Sequence, residues 1–488
     1  MSCLLLFLPM ATYGLPVEPI EIGDRPQFVF DNYVIDNHWA IKYKREAVRQ
    51  VFHQATKHPG NPIFGQGDQP SFNWVIRDEE DGLFKMWYQL NDQVAGDKAK
   101  GRKYNTHIAY AQSKDGIRWE KPDLGLFKAY KKKPNNIVLG WDEYPNAQTC
   151  TPCILEVPEA DSKDYRFLMM YRAKGAGIGP ISGIRLIGSN DGIHWDFKSD
   201  KRLAHLHSDH FNTVVFDPNR KEYVMYCRPK HIYRTFRGEM VDTGASRRVA
   251  RMASKSLWTD WLETVEPQTL LIPDNQDSET HFNFYYGMAV RYHGGIYWGF
   301  IEPFRMNDYI YTELAVSRDG IHFQRMPGRP KIVEWGEEGS WDDTMIFMSP
   351  SWVEVGDEWW LYYSGWDGPH GTTERTGAYG MAKIRKEGFC GMKGPKSGGV
   401  LCSRKIKWSA GKLLVNAVAT GGKMQVRISD EKRKPLEGFN YDDCEVFSGD
   451  STSHEIKWKS ESIESLKGQV IRLEFYLQEA ELFTFKGE

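Results

Sequence analysis

At 488 residues the chain exceeds one ordinary domain, yet one large closed β-domain plus a small one would account for it. A formal charge of -2 provides no basic field for nucleic acid and no polybasic face for anionic lipid, so neither partner is expected. Aromatic residues make up 14%, with 17 Trp and 24 Tyr, a content that suits buried strands and sugar-stacking surfaces alike.

The apolar run SCLLLFLPMA near the start is too short to span a bilayer. With Thr12 and Gly14 placed for cleavage, residues 1–14 read as an export signal, which predicts a secreted or periplasmic protein. Residues 15–60 carry short strands (PQFVFDNYVID, REAVRQVFHQ) and the extended stretch KHPGNPIF, expected to lie across the first sheet.

Two series then run in parallel. Turns of the form Ser-x-Asp-Gly, followed by an aromatic, stand at Ser113 (SKDGIRW), Ser189 (SNDGIHW) and Ser317 (SRDGIHF), with degenerate copies at Ser254 and Lys383. Apolar, aromatic-rich runs begin at Phe84, Tyr165, Glu222, Gly295 and Glu358, and read as strands buried on both faces. Two series of five at a period of roughly 65 to 75 residues predict five antiparallel sheets arranged as a propeller over residues 15–390. In the turns, Asp115, Asp191 and Asp319 are expected to bond their own backbone, and the following aromatic to pack between sheets. Asp217-Pro218-Asn219 is read as a further turn.

A Gly/Lys-rich break at 391–399 precedes the alternating runs KLLVNAVATGGKMQVRISD, HEIKWK and GQVIRLEFYLQEAELFTFKG, which predict a small β-sandwich over 400–488. Cys150 and Cys153 form a lone CxxC whose odd spacing sends the two thiols to opposite faces of a strand, so both read as buried free thiols. Cys390 and Cys402 flank the Gly-rich loop and are left as candidates for a bridge.

In a propeller the innermost strand of each blade lines a central channel, so polar residues ahead of those strands meet in one pocket. The innermost strands are expected to open near Asp68, Gln148, Asp209, Thr280 and Ser340. Asp68, Asp209, Glu279 and Asp342 are therefore the candidate catalytic carboxylates, with Asp343, the neighbour of Asp342, facing the other way. Glycoside hydrolysis needs such a set, one carboxyl holding a proton for the leaving oxygen and another acting as base or nucleophile. Trp74, His210, Arg228, His281, Glu302, Arg305 and His370 are candidate substrate-binding groups near the same mouth. No cofactor is implied. His210, His281 and His370 leave a channel-bound divalent ion such as calcium as an alternative, without the close spacing that favours a metal site.

The five repeats, the inner-strand acids and the C-terminal strands resemble the clan of glycoside hydrolase families 32, 43, 68 and 117. The phrases KHPGNPIF, FKMWYQ, SRDGIHF, GSWDDTMIF and LLVNA with GFNYDDCEVFSGDS are similar to secreted "glycosyl hydrolase family 32 N-terminal-like" proteins of marine polysaccharide-degrading bacteria. The Asn-Asp-Pro-Asn, Arg-Asp-Pro and Glu-Cys motifs of family 32 do not stand in recognisable form. The resemblance implies a five-bladed propeller that cleaves terminal sugars from a polysaccharide or oligosaccharide, with Asp68 at the place of the first-blade nucleophile. A non-catalytic carbohydrate-binding propeller, or a polysaccharide lyase using a His or Tyr base, remains the alternative. Oligomeric state has no signal in the sequence.

Overall fold

The computed structural model describes residues 16–40, 47–66, 71–92, 105–128, 130, 133–140, 148–174, 182–206, 208–229, 233–236, 239–242, 247–263, 265–279, 282–305, 308–372 and 375–488. It is all-β, and the chain divides into two compact units, Gln54–Ile384 and Met1–His53 with Arg385–Glu488.

Among the described residues the inserted unit carries five successive sheets of four or five strands and a two-stranded hairpin, Tyr233–Phe236 with Glu239–Asp242. The first contains Asn73–Arg77, Phe84–Asp92, Asn105–Ser113 and Ile137–Leu139 in chain order, and the second Gln148–Ile154, Phe167–Lys174, Gly183–Ser189 and Trp195–Ala204. The third contains Thr213–Asp217, Glu222–Cys227, Val249–Ser254 and Gln268–Leu271. The fourth contains Phe282–His293, Ile296–Arg305, Glu313–Ser317 and Gln324–Arg325. Met345–Met348, Glu358–Trp366 and Gly377–Arg385 make the fifth, and its outer place is taken by Thr56–Lys57 from the start of the unit. Each second strand holds one of the apolar runs; Glu358–Trp366 is buried at every position after the first, as a strand covered on both faces must be.

Three pairs of neighbouring sheets are joined through the Ser-x-Asp-Gly turns. Ser113 Oγ accepts the N–H of Gly116 at 2.9 Å, and Asp115 Oδ1 accepts those of Ile117 and Arg118 at 2.9 and 2.7 Å, so the Asp is spent on its own turn. Asp191 and Asp319 do the same. The glycine carbonyl then receives a ring donor from another sheet: Trp87 Nε1 to Gly192 at 2.7 Å, Tyr226 Oη to Gly320 at 2.8 Å and Tyr362 Oη to Gly116 at 2.9 Å. The aromatic three residues after each glycine packs on that same donor ring, Trp195 on Trp87, Phe323 on Tyr226 and Trp119 on Tyr362. The Tyr362 contact links the fifth sheet to the first. Asp217 also serves a turn, accepting from Asn219 and Arg220 N–H and from Tyr297 Oη at 2.6 Å.

The other unit consists of two six-stranded sheets around one buried core that includes Trp408, Leu413, Phe475 and Phe485. Its membership departs from the expected 400–488. Ile20–Ile22 pairs with Ile406–Trp408, Ile35–Ala40 with Gly399–Ser403, and Arg49–Phe52 with Cys390–Lys393. The N-terminal strands thus complete the C-terminal sheets instead of lying across the first sheet, because the unpaired backbone edges they cover belong to strands late in the chain. Cys390 and Cys402 are buried free thiols and form no bridge; Cys150 and Cys153 are also free and buried. The expected export segment 1–14 lies outside the described residues, among which no helix is long and apolar enough to cross a membrane.

Candidate functional site

In an antiparallel sheet the start of the first strand lies beside the end of the second, so residues at these two places gather at one end. Asp209 and His210 precede Thr213–Asp217, Arg228 follows Glu222–Cys227, Glu302 lies near the end of Ile296–Arg305, and His370 follows Glu358–Trp366. These five expected residues come together around one that sequence reasoning missed, Tyr286.

Tyr286 owes its place to an irregularity in the fourth sheet. Tyr285 pairs with Pro303 and Gly287 with Glu302, which leaves Tyr286 as the extra residue of a bulge. The bulge turns its ring inward, and Gly287 gives His210 room: a Cβ there would run into the imidazole. His370 Nε2 meets the Tyr286 hydroxyl at 3.1 Å. The guanidinium carbons of Arg228 and Arg247 lie 4.8 and 5.6 Å from the Tyr286 ring centre, and Arg247 is 4.7 Å from that of Phe304. Phe72, Phe211 and Phe347 complete an aromatic wall.

Below the tyrosine, His210 Nε2 contacts Glu302 Oε2, and both side chains are fully buried. His210 Nδ1 faces the Phe211 carbonyl at 3.1 Å, an acceptor only, so Nδ1 carries a proton. One further proton is then held between Nε2 and Oε2. Burial pushes the Glu302 carboxyl above its usual range, against the pull of His210 and Arg228. Glu302 Oε1 has no hydrogen-bond partner among the described residues. Asp209, whose side chain is 39% exposed, is ion-paired with Arg228 Nη2.

Burial brings Arg228 down to about 10, which leaves it a cation at neutral pH. Burial, then Arg375, Arg247 and Arg228, lower His370 to about 3, so its ring is neutral and able to accept the phenol proton. Burial raises the Tyr286 phenol while Arg228 and Arg247 pull it back. The cluster therefore offers a hydrogen-bonded carboxyl–imidazole pair, an accessible carboxylate, a phenol joined to a neutral imidazole, and fixed positive charge.

The remaining candidates that the structure describes are not part of this cluster. Asp342 is buried in the fifth sheet, where it accepts Lys57 Nζ at 2.6 Å and Tyr363 Oη at 3.0 Å. Asp343 Oδ2 accepts the Gly339 N–H at 2.8 Å. Arg305 is half-buried at the end of its strand and acts electrostatically on Tyr311. Glu279 is the last residue of a short helix, Asn275–Glu279, and its side chain lies outside the described residues, as do Asp68 and His281. Trp74 is a core residue; it lines a cavity of about 690 Å3 with Ile154, Val214 and Val290, toward the opposite ends of the first strands. The charged groups Arg291 and Arg166 of that cavity are ion-paired, with Glu156 and Asp78 respectively. Among the described residues no group of three or more His, Cys, Asp or Glu is placed to hold a metal ion.

No family model matches the chain. It is 31% identical over 163 residues to an uncharacterized protein of Mycobacterium tuberculosis (strain CDC 1551 / Oshkosh), a match that takes in 32% of this chain and 45% of that protein's length. Among solved structures it is similar to an N-acetylgalactosamine deacetylase from F. plautii crystallised with blood group B trisaccharide, at 16% identity and a TM-score of 0.43 over 69% of this chain and 95% of that one. It is similar to a thermostable family-43 glycoside hydrolase, at 14% identity and a TM-score of 0.42 over 70% and 96%. It is also similar to a structure from the family of mannoside phosphorylases that contains glycoside hydrolases targeting β-1,2 mannosidic linkages in Candida mannan, at 15% identity and a TM-score of 0.43 over 77% and 97%.

Proposed function

We propose that the protein is an exported carbohydrate-active enzyme, in which the five sheets are the blades of a closed propeller and the two six-stranded sheets form an accessory β-sandwich. The reaction is cleavage of a terminal glycosidic bond at the pocket around Tyr286. The observation that carries this reading is the placement, at one end of the sheets, of a buried carboxyl in contact with His210 near an accessible carboxylate. Glu302, its proton shared with His210, is assigned as the acid for the leaving oxygen, and Asp209 as the carboxylate that activates water or attacks. Arg228 ties the two together, since it is ion-paired with Asp209 and acts electrostatically on Glu302.

One observation favours a second reading, β-elimination by a lyase: the Tyr286 hydroxyl lies 3.1 Å from a neutral imidazole with cations against its ring, a setting suited to moving a proton through the phenol. The two are separated by incubating the full chain with a panel of plant and algal glycans and following both new reducing ends and the ultraviolet absorbance of an unsaturated product. Hydrolysis gives reducing ends alone, and Asp209→Asn or Glu302→Gln then lowers kcat by about 10^2 to 10^4. Elimination gives both signals, with Tyr286→Phe as the most damaging change. New reducing ends without absorbance, produced equally well by folded Asp209→Asn and Glu302→Gln, would overturn the carboxylate assignment.

A further inference from the structure

Among the described residues, the cluster around Tyr286 holds two guanidiniums with donors that its carboxylates leave unfilled. Arg228 is 1% exposed, yet only its Nη2 faces an acid, and Nε and Nη1 have no acceptor among the described residues. The Nε of Arg247, on the other side of the Tyr286 and Phe304 rings, has none either. Among the described residues, the carboxylates beside these two cations are Asp209, already paired with Arg228, and Glu302, hydrogen-bonded to His210. Buried donors without acceptors are costly, and that cost is removed when a ligand supplies the acceptors. Neutral hydroxyls fill hydrogen bonds but leave the excess charge in a poorly solvated place; an anion answers both.

We propose that this pocket recognises a sugar carrying an anionic group, a uronosyl carboxylate or a sulfate ester, seated on Arg228 and Arg247 beside Tyr286. The inference rests on the reading that the pocket is a sugar site and narrows its substrate to acidic saccharides. Burial first, and then the neighbouring cations, lower His370, and Arg228 and Arg247 also act on Tyr286.

The test is calorimetric titration of the full chain with uronosyl trisaccharides (galacturonate, mannuronate and glucuronate), a sulfated carrageenan oligosaccharide, and a neutral galactose trisaccharide, at low and at raised salt. At least one anionic probe should bind more tightly than the neutral one by about tenfold or more, with affinity falling as salt rises, and the carboxylate and sulfate arms identify the source. Arg247→Gln, a change at a half-buried position, should reduce that preference by about tenfold, the anionic probe losing more affinity than the neutral one. Equal binding of neutral and anionic probes, no binding by any anionic probe, or an unaltered preference in Arg247→Gln would overturn the inference. The bond-cleavage reading fails separately: anionic binding without cleavage of any glycan sinks that reading and leaves this one, whereas cleavage of a neutral glycan with no anion preference does the reverse.

Discussion

Replacing Gly116 by alanine measures how much the joint between the fifth and first sheets contributes to stability. Gly116 has φ +73, and Gly82, in an unrelated hairpin turn, has φ +71 with nothing within 4 Å of an added Cβ. A left-handed alanine costs about 1 to 2 kcal/mol at either position, so Gly82→Ala isolates the backbone cost. At Gly116 the added Cβ also stands 2.8 Å from Tyr362 Oη and 2.9 Å from the Phe84 ring, both in buried side chains. Such overpacking adds about 1 to 3 kcal/mol, since either the tyrosine shifts and weakens its bond to the Gly116 carbonyl or the turn moves. Gly192→Ala and Gly320→Ala meet Trp87 at 2.6 Å and Tyr226 Oη at 2.7 Å, and should behave like Gly116→Ala. Urea titration followed by tryptophan fluorescence, with the midpoint shifts compared at a common slope, gives the difference directly. If Gly116→Ala, Gly192→Ala and Gly320→Ala are no less stable than Gly82→Ala, the joints do not hold the sheets together in the way described.

Asp342→Asn should lower stability by about 3 to 5 kcal/mol through loss of the buried partner of Lys57 while kcat stays within a few-fold, whereas Asp209→Asn should lose about 10^2-fold or more in kcat; denaturation and initial rates on the same preparations check both. Arg325 is enclosed by Asp277 and Glu313, with Nη1 2.8 Å from Asp277 and Nη2 2.7 Å from Glu313, so Arg325→Met should destabilise the fold by about 3 to 5 kcal/mol, measured by urea titration. His370 has a folded pKa of about 3 against 6.5 for the free side chain, so the unfolded chain takes up the proton first. The stability tied to its neutral ring is complete above pH 6.5 and is lost as pH falls toward 3; the imidazole signals in a proton spectrum should stay those of the neutral ring at pH 5, and His370→Gln should flatten the acid limb of stability against pH.

What could be read from the sequence was what is local. Ser-x-Asp-Gly specifies its turn within four residues, and a strand covered on both faces declares itself as an unbroken apolar run, so the positions of the five sheets follow from the two series. Asp209, His210, Arg228, Glu302 and His370 were reachable because they flank those strands. Tyr286 was not: in HFNFYYGMAV it is one more aromatic of a buried strand, and only the pairing of Gly287 with Glu302 makes it the residue turned out of register. Arg247 sits in the chain between elements, with no period to mark it. Asp342 looked like its counterparts at the other strand starts, but its partner, Lys57, is 285 positions away. Long-range pairing also decided the N-terminal strands, whose alternation revealed strands without revealing which edge they would join.

Because one unit is interrupted by the other, synthesis imposes an order on the chain. Gln50 must wait for Cys390, 340 positions later, before its strand has a neighbour. The unit Gln54–Ile384, whose Thr56–Lys57 and Gly377–Arg385 strands bind each other, is fully translated before that neighbour appears. Until then Ile20–Ile22, Ile35–Ala40 and Arg49–Phe52 are unpaired edges open to another chain. Trimming residues after 400 would leave most of these strands permanently in that condition, so a clean dissection keeps 54–384 and removes both ends together.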